Sequence, residues 1–299
     1  MTRRPKGFTL SRTLSSTLPS DEIMKSARRL GTIALLVLVL VLGAASRGAE
    51  GAKRGTSRAL IVAGIPGDAE HEARFAEVVR GWRAWLTGPL GFDPAEVGVL
   101  GGPGDAGSKG PATREALGRA VADMKLATRP DDRVWVFWLG HANYDGAHMR
   151  LHLPGPDLSD EEFAALFQGL GCDEQVFWMT SAGSGWLVRP LAAKGRITIA
   201  ATERDQEFNE TEFPRALAEV AAGPLAKLDT DGDGRVSVLE VYLATVARTA
   251  ARFASNQRIP TEHAQIDDNG DGQGAELTGP TGPKARDGLT AALTFLNGR

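Results

Sequence analysis

The chain has 299 residues, of which 42% are hydrophobic and 24% are charged, and this is enough apolar material for the core of one or two globular domains. A formal net charge of -3 gives no basic excess to neutralise phosphates, so the sequence predicts no nucleic-acid partner. Cys172 is the single cysteine, which excludes an internal disulfide and leaves stability to packing or to bound ions.

The first hydrophobic segment lies near the N-terminus and indicates export. Basic residues, among them Arg28 and Arg29, precede an uncharged run over residues 30–45. This run is shorter than the roughly 20 residues that a membrane-spanning helix needs. Residues 1–50 are therefore interpreted as a signal peptide, or as an N-terminal anchor if they are not cleaved. Both alternatives place the rest of the chain outside the cytoplasm, secreted, periplasmic or anchored, and only the uncleaved form predicts a membrane contact.

From Arg58 onward, strand patterns and helix patterns alternate. Short apolar runs predict strands at residues 59–64, 97–100, 129–141, 175–180 and 196–202. Apolar residues at helical spacing predict helices at residues 71–86, 114–127, 159–167 and 213–223. Ser159 and Glu162 have the spacing of a capping box at the start of the third helix. The run from Val134 to Leu139 is apolar on both faces, as in a parallel sheet with helices on both sides. The sequence therefore predicts a three-layer α/β fold with a mostly parallel sheet.

Unusual residues follow two of the predicted strands, at the edge of the sheet where α/β proteins hold their sites. His141, in the segment GHANYDG, comes directly after the buried run WVFWL, and the small-residue turn TSAGSG, residues 180–185, ends the strand at 175–180. A histidine at one strand end and a small turn at the next is the arrangement of a base and a nucleophile. Taken alone, His141 is better explained as a turn histidine that hydrogen-bonds to its own loop.

The residues around these strand ends resemble the caspase-like fold, and most closely its legumain-like peptidase branch. The resemblance runs through residues 111–146, 151–167, 176–185 and 195–213 and covers residues 58–220. In that family, the histidine of a Gly-His pair ends one strand and a cysteine in a Cys-x-Ser-Gly turn ends the next. The cysteine attacks the scissile carbonyl, the histidine carries protons, and backbone amides hold the oxyanion. By this resemblance, His141 matches the histidine, and Ser184 with Gly185 matches the Ser-Gly pair.

The same resemblance puts the nucleophile position on Ala182, whose methyl group cannot attack a carbonyl. The turn at this position consists of Ala182, Gly183, Ser184 and Gly185. Ser181 comes one residue earlier, and its side chain points to the opposite face if the strand continues that far. Cys172 lies about 25 Å away by ordinary strand geometry and is not the missing thiol. We therefore expect an inactive peptidase fold that binds an extended peptide or a protein ligand; the alternative is an active peptidase that uses Ser181, with His141 as its base.

The segment DTDGDGRVSVLE, residues 229–240, matches every position of the EF-hand calcium loop, and we call it the Asp229 loop. Its ligand positions are occupied by Asp229, Asp231, Asp233, Arg235 through its carbonyl oxygen, Ser237 and Glu240. Gly234 stands at the sharp turn, and Glu240 is the bidentate twelfth ligand. Ca²⁺ takes about six to eight oxygen ligands, so this concentration of oxygens predicts a calcium site.

A second aspartate-rich segment, DDNGDGQGAELT, occupies residues 267–278, and we call it the Asp267 loop. Asp267, Asn269 and Asp271 match the first half of a calcium loop. The twelfth residue, however, is Thr278, and Glu276 comes too early to replace it. The segment is therefore interpreted as a degenerate or differently closed site, and both a second ion and a simple polar turn stay open.

These patterns divide the chain into four parts. Residues 1–50 form the signal peptide or anchor, residues 55–222 the α/β domain, residues 223–278 the EF-hand segment, and residues 279–299 a linker with a C-terminal helix at 288–298. Three functions stay open at this point. The chain is an exported calcium-binding protein with an inactive legumain/caspase-like peptidase fold, an active serine peptidase, or a non-catalytic structural calcium module.

Overall fold

A six-stranded sheet lies at the centre of the structure, a computed structural model that describes residues 55–204, 207–279 and 286–296. The strands in chain order are β1 Ser57–Ala63, β2 Val97–Leu100, β3 Arg133–Leu139, β4 Ala142–Tyr144, β5 Met149–Leu151, β6 Leu158–Ser159, β7 Glu174–Met179, β8 Arg196–Ala200 and β9 Gln265–Asp267. The large sheet has the order β2-β1-β3-β7-β8-β9. Its first five strands are parallel, and β9 pairs antiparallel with β8. The mostly parallel α/β sheet predicted from the sequence is confirmed.

Helices cover both faces of this sheet. They are α1 Ala69–Thr87, α2 Arg114–Ala127, α3 Asp160–Leu166, α4 Val188–Leu191, α5 Phe213–Ala222, α6 Val238–Ser255 and α7 Leu289–Leu293. Residues of α1, α5 and α6 share one hydrophobic core, and residues of α2, α3 and α4 share the other. Alternate residues of β3 divide between them: Trp135 and Phe137 belong to the first core, and Val136 and Trp138 to the second. Two cores explain why β3 is apolar along its whole length.

Several helix ends lie at or near the residues that the sequence pattern predicts. Helix α2 begins and ends where its pattern predicts. Helix α3 begins at Asp160 because Ser159 is its N-cap: the Ser159 hydroxyl accepts from the Glu162 amide at 3.0 Å, and the Ser159 amide donates to the Glu162 carboxylate at 2.9 Å. This reciprocal pair is the capping box that the spacing predicts.

Other elements differ from the sequence prediction. The small antiparallel sheet β4-β5-β6 and the edge strand β9 were not predicted. The C-terminal helix predicted over 288–298 ends at Leu293. Beyond it, the carbonyl of Thr294 accepts from the amide of Val238, and the amide of Leu296 donates to the carbonyl of Val236, both at 2.8 Å. This pairing with the end of the Asp229 loop holds the segment extended and stops the helix.

The signal peptide or anchor predicted for residues 1–50 lies outside the described residues. In the parts of the chain that the structure describes, no helix is both long and apolar enough to cross a bilayer. Export and the four-part division of the chain therefore stay predictions.

Candidate functional site

His141 follows β3 and lies at the C-terminal edge of the sheet. Its Nε2 is 3.0 Å from the carbonyl oxygen of Pro66, in the loop between β1 and α1. A carbonyl oxygen can only accept, so this contact makes Nε2 the protonated nitrogen and leaves Nδ1 as the basic one. The rings of His71 and Phe75 on α1 lie 5.3 and 5.6 Å from the imidazole, measured between centroids. The imidazole is therefore positioned by another loop and by α1, rather than through its own loop.

A pocket opens beside this imidazole. Its lining includes His141, Ala182, Thr180, Phe75, Phe208 and Glu210. Arg74 also lines the pocket, and its guanidinium is 3.1 Å from the Glu210 carboxylate. His71 Nε2 lies 3.2 Å from the same carboxylate. A hydrogen bond to Asp68 is the main reason that the pKa of His71 is raised. The pocket thus combines aromatic surface with charges of both signs.

The turn after β7 needs its small residues for its shape. Gly183 has φ 61°, in the left-handed region, and a Cβ there would lie 1.9 Å from Cε of Met149. The hydroxyl of Ser184 accepts from the backbone amide just beyond β8 at 2.9 Å. Gly185 lies against the backbone of Glu203, where a Cβ would come within 2.5 Å. Close packing accounts for Gly183 and Gly185, and a structural hydrogen bond accounts for Ser184.

Ser181 and Ala182 face different surroundings. Ala182 lines the pocket with His141, whereas Ser181 is 1% exposed and its hydroxyl has no hydrogen-bond partner among the described residues. Cys172 is buried just before β7, at the other end of that strand from the turn, and burial raises the pKa of its thiol to about 11. Neither the Ser181 hydroxyl nor the Cys172 thiol therefore hydrogen-bonds to the imidazole in this structure.

The Asp229 loop folds around its own carboxylates. Asp229 accepts from the amides three and five residues on, at 2.8 and 3.0 Å. Asp231 and Asp233 each accept from the amide two residues on, at 3.0 and 2.7 Å. One carboxylate oxygen of each of these three aspartates lies within 4.8 Å of the others. With Gly234 at φ 82°, the loop brings three predicted ligands to one point.

Glu240 reaches this loop from the first turn of α6. Its Oε1 accepts from the Thr230 amide at 2.7 Å, and its Oε2 accepts from the Ser237 amide at 2.8 Å. Burial acts to raise the pKa of Glu240, but the hydrogen bonds from Ser237 and Thr230 outweigh it and hold the pKa below its ordinary value. Glu240 is therefore ionised at neutral pH. Together with the three aspartates and the carbonyl of Arg235, it gives an oxygen set that fits a hard divalent cation such as Ca²⁺.

The C-terminal segment, residues 294–296, joins the Asp229 loop to the large sheet. The guanidinium of Arg235 lies 3.5 Å from the ring centroid of Phe295. Arg133, the first residue of β3, donates to the carbonyls of Phe295 and Leu296 at 2.9 and 2.7 Å. Since β3 starts at Arg133 and His141 follows its other end, the loop and the pocket lie at opposite ends of one buried strand.

The Asp267 loop repeats the hydrogen bonds of the first loop. Asp267 accepts from the amides three and five residues on, at 2.8 and 2.9 Å, and burial raises its pKa. Asn269 and Asp271 each accept from the amide two residues on, at 2.7 and 2.8 Å. Glu276 and Thr278 are exposed, and neither hydrogen-bonds to the loop's carboxylates in the described residues. The first half of a calcium loop is therefore formed, and its twelfth residue does not close it.

A further cluster joins residues that are far apart in sequence. Glu203, Glu207 and His263 each offer a possible ligand atom within 4.8 Å of the others. Both Nδ1 and the backbone amide of His263 hydrogen-bond to Glu207, and the amide of Glu203 donates to the same carboxylate at 2.9 Å. The hydrogen bond from Glu207 is the main cause of a raised pKa of His263. Because donors engage both oxygens of Glu207, we interpret the cluster as a clamp between two loops.

Comparisons with known proteins return a structural similarity and no family match. No known protein-family model matches the chain, and no curated protein matches it. Among solved structures, the chain is similar to the crystal structure of protein GSU0716 from Geobacter sulfurreducens, with a TM-score of 0.45 and 16% sequence identity. The similarity covers 71% of this chain and 92% of that chain. A likeness at this level carries no argument about function.

Proposed function

We propose that the chain is an exported calcium-binding protein with a catalytically inactive peptidase fold of the legumain/caspase type. The pocket beside His141 binds an extended peptide or a protein ligand, and the Asp229 loop binds Ca²⁺. Calcium binding is the part that the geometry supports best. The observation that carries it is the convergence of three carboxylates within 4.8 Å, with Glu240 hydrogen-bonded to the second residue of the loop, Thr230.

The charges of the Asp229 loop explain why a divalent cation fits. Four carboxylates in one loop repel each other, and a bound cation offsets this repulsion. The amide hydrogen bonds already hold the loop in the bent conformation that a calcium loop needs, so little chain entropy is lost on binding. The carbonyl of Arg235 and the hydroxyl of Ser237 complete the oxygen set by the spacing of the loop.

Thermal unfolding of the purified protein, with and without Ca²⁺, tests this site. At a Ca²⁺ concentration 100 times the Kd of the Asp229 loop, this one site should add about 2.7 kcal/mol to the free energy of unfolding. Glu240→Gln removes one anionic ligand and should lose most of that gain. Glu276→Gln is the matched control, since Glu276 is exposed, and it should keep the full gain. The same gain in Glu240→Gln as in the wild type would exclude the Asp229 loop as the site.

The proposed loss of activity rests on Ala182. In the resembling family the nucleophile stands at this position, next to the histidine, and here a methyl group lines the pocket with His141. The peptide-like ligand follows from the same resemblance. Support for it comes from the aromatic surface of Phe75 and Phe208 and from the Arg74–Glu210 pair at 3.1 Å.

Covalent probes test the inactivity. A fluorophosphonate should label neither the wild type nor Ser181→Ala. Ala182→Cys places a thiol in the pocket that His141 also lines, and iodoacetamide should alkylate it much faster than Cys172, whose raised pKa keeps its thiol protonated. Adding His141→Ala to that variant should slow the alkylation. Wild-type labelling that disappears in Ser181→Ala would instead identify an active serine enzyme.

A further inference from the structure

The Asp267 loop has no acidic twelfth residue, yet a carboxylate from farther along the chain occupies the equivalent place. In the Asp229 loop, the closing Glu240 accepts a hydrogen bond from the amide of the loop's second residue, Thr230, at 2.7 Å. The second residue of the Asp267 loop is Asp268, and its amide donates to Oδ1 of Asp287 at 3.3 Å. Asp287 therefore has the same relation to the Asp267 loop as Glu240 has to the Asp229 loop.

The other carboxylate oxygen of Asp287 lies in an unfavourable environment. Asp287 is 0% exposed, and its Oδ2 has no hydrogen-bond partner among the described residues. Burying a carboxylate oxygen without a partner is unfavourable. The like charges of Asp267, Asp268 and Asp271 act on the same carboxylate. A cation in the loop would contact this oxygen and offset the repulsion among the carboxylates.

Contacts of the preceding residue fix Asp287 beside the loop. The carbonyl of Arg286 accepts from Nδ2 of Asn269 at 2.9 Å. The guanidinium of Arg286 donates to Oε1 of Gln273 at 2.6 Å and lies 3.8 Å from Oδ2 of Asp271. These three partners are the third, fifth and seventh residues of the loop, which are ligand positions in a calcium loop. The segment that carries Asp287 is thus bound along the same face as the predicted ligands.

We propose that Asp287 closes a second Ca²⁺ site in the Asp267 loop. The ligands are Asp267, Asn269, Asp271, the backbone carbonyl of Gln273 and Asp287. Among the described residues, the carboxylates of Asp267, Asp271 and Asp287 do not all approach within 4.8 Å of one another. The proposal therefore requires that Oδ2 of Asp287 turns toward Asp267 and Asp271 when the ion binds. Ca²⁺ suits this set better than Mg²⁺, because Ca²⁺ accepts many protein oxygens in flexible geometry whereas Mg²⁺ retains several waters. This site goes beyond the function proposed above and does not depend on the Asp229 loop.

Calorimetric titration of the purified, metal-stripped protein with Ca²⁺ tests the proposal. We expect two ions in the wild type, one in Asp287→Asn, one in Glu240→Gln, and two in the control Glu276→Gln. Asp287→Asn keeps an oxygen for the Asp268 amide and removes a buried charge. Without Ca²⁺, this variant should therefore melt at the wild-type temperature or above it.

The outcomes separate this site from the Asp229 loop. Two ions in Asp287→Asn, or a single wild-type ion that disappears in Glu240→Gln, would overturn the second site. A single wild-type ion that disappears in Asp287→Asn would support the second site and overturn the first. If Asp287→Asn does not fold, the exposed Asp271→Asn replaces it; one ion there supports the second site, and two ions overturn it.

Discussion

Ser181 and Ala182 are neighbours in the turn after β7, and the contacts around them fix which of the two faces the pocket. On one side, the amide and the hydroxyl of Thr180 both donate to the carbonyl of Trp138, at 3.2 and 2.6 Å. After the two residues, the hydroxyl of Ser184 accepts a hydrogen bond from the amide of Ala201, just beyond β8. A one-residue shift that brought Ser181 into the pocket would break these hydrogen bonds, each worth about 1 kcal/mol. The register therefore favours the methyl group at the pocket.

The nucleophile position is assigned to Ala182 by the family resemblance, which gives no information on the partners of His141. The expectation that Ser181 points away from the pocket assumes that the strand continues to this residue, whereas β7 ends at Met179. The hydrogen bonds of Thr180 and Ser184, and not strand alternation, therefore fix the turn. Pro66, which accepts from the His141 imidazole, is 75 residues away in sequence. No local pattern encodes that contact. In the same way, Asp287 lies outside the twelve residues that define a calcium loop, and only the fold brings it to Asp268.

Among the helices and strands, the longer elements could be predicted from their hydrophobic pattern and the shortest could not. Strand β3 and helix α2 contain enough residues to show their period, and both were predicted. Strands β4, β5, β6 and β9 have only two or three residues each, too few for a pattern, and exist because neighbouring strands supply their hydrogen bonds. Helix α7 was predicted to be longer than it is. Its apolar pattern continues through residues 294–296, but backbone groups of Thr294 and Leu296 hydrogen-bond to the end of the Asp229 loop instead of continuing the helix.

The capping boxes of α3 and α6 allow a matched test of the Asp229 loop. Both helices start with a serine whose hydroxyl accepts from a glutamate amide, at 3.0 Å for Ser159 and 3.2 Å for Ser237. Ser159→Ala and Ser237→Ala should each lower the free energy of unfolding by about 1 kcal/mol. Only Ser237 lies in the Asp229 loop, the proposed calcium site. The stability gained from Ca²⁺ should thus be unchanged in Ser159→Ala and smaller in Ser237→Ala, as measured by chemical denaturation. Equal gains would limit Ser237 to helix capping.

At the scale of the described molecule, β3 runs between the Asp229 loop and the pocket beside His141. Its N-terminal residue, Arg133, is bound to the segment that covers the Asp229 loop, and its C-terminal end leads into His141 and the pocket. Every residue from Arg133 to Leu139 is buried, and residues 134–139 alternate between the two hydrophobic cores. A strand packed in this way does not slide, because either core would lose its contacts. Calcium should therefore order the region near Arg133 without reshaping the pocket.

Hydrogen exchange measured by mass spectrometry tests this separation. Under conditions where amides exchange through local opening, Ca²⁺ should increase protection of residues 294–296 and leave residues 141–146 unchanged. Arg133→Met keeps the long side chain but removes the donors to the carbonyls of Phe295 and Leu296. In that variant Ca²⁺ should still bind, since Arg133 is not a ligand, but the added protection of residues 294–296 should be lost. An equal rise in protection at both segments would mean that calcium acts through global stability, and the argued separation would be wrong.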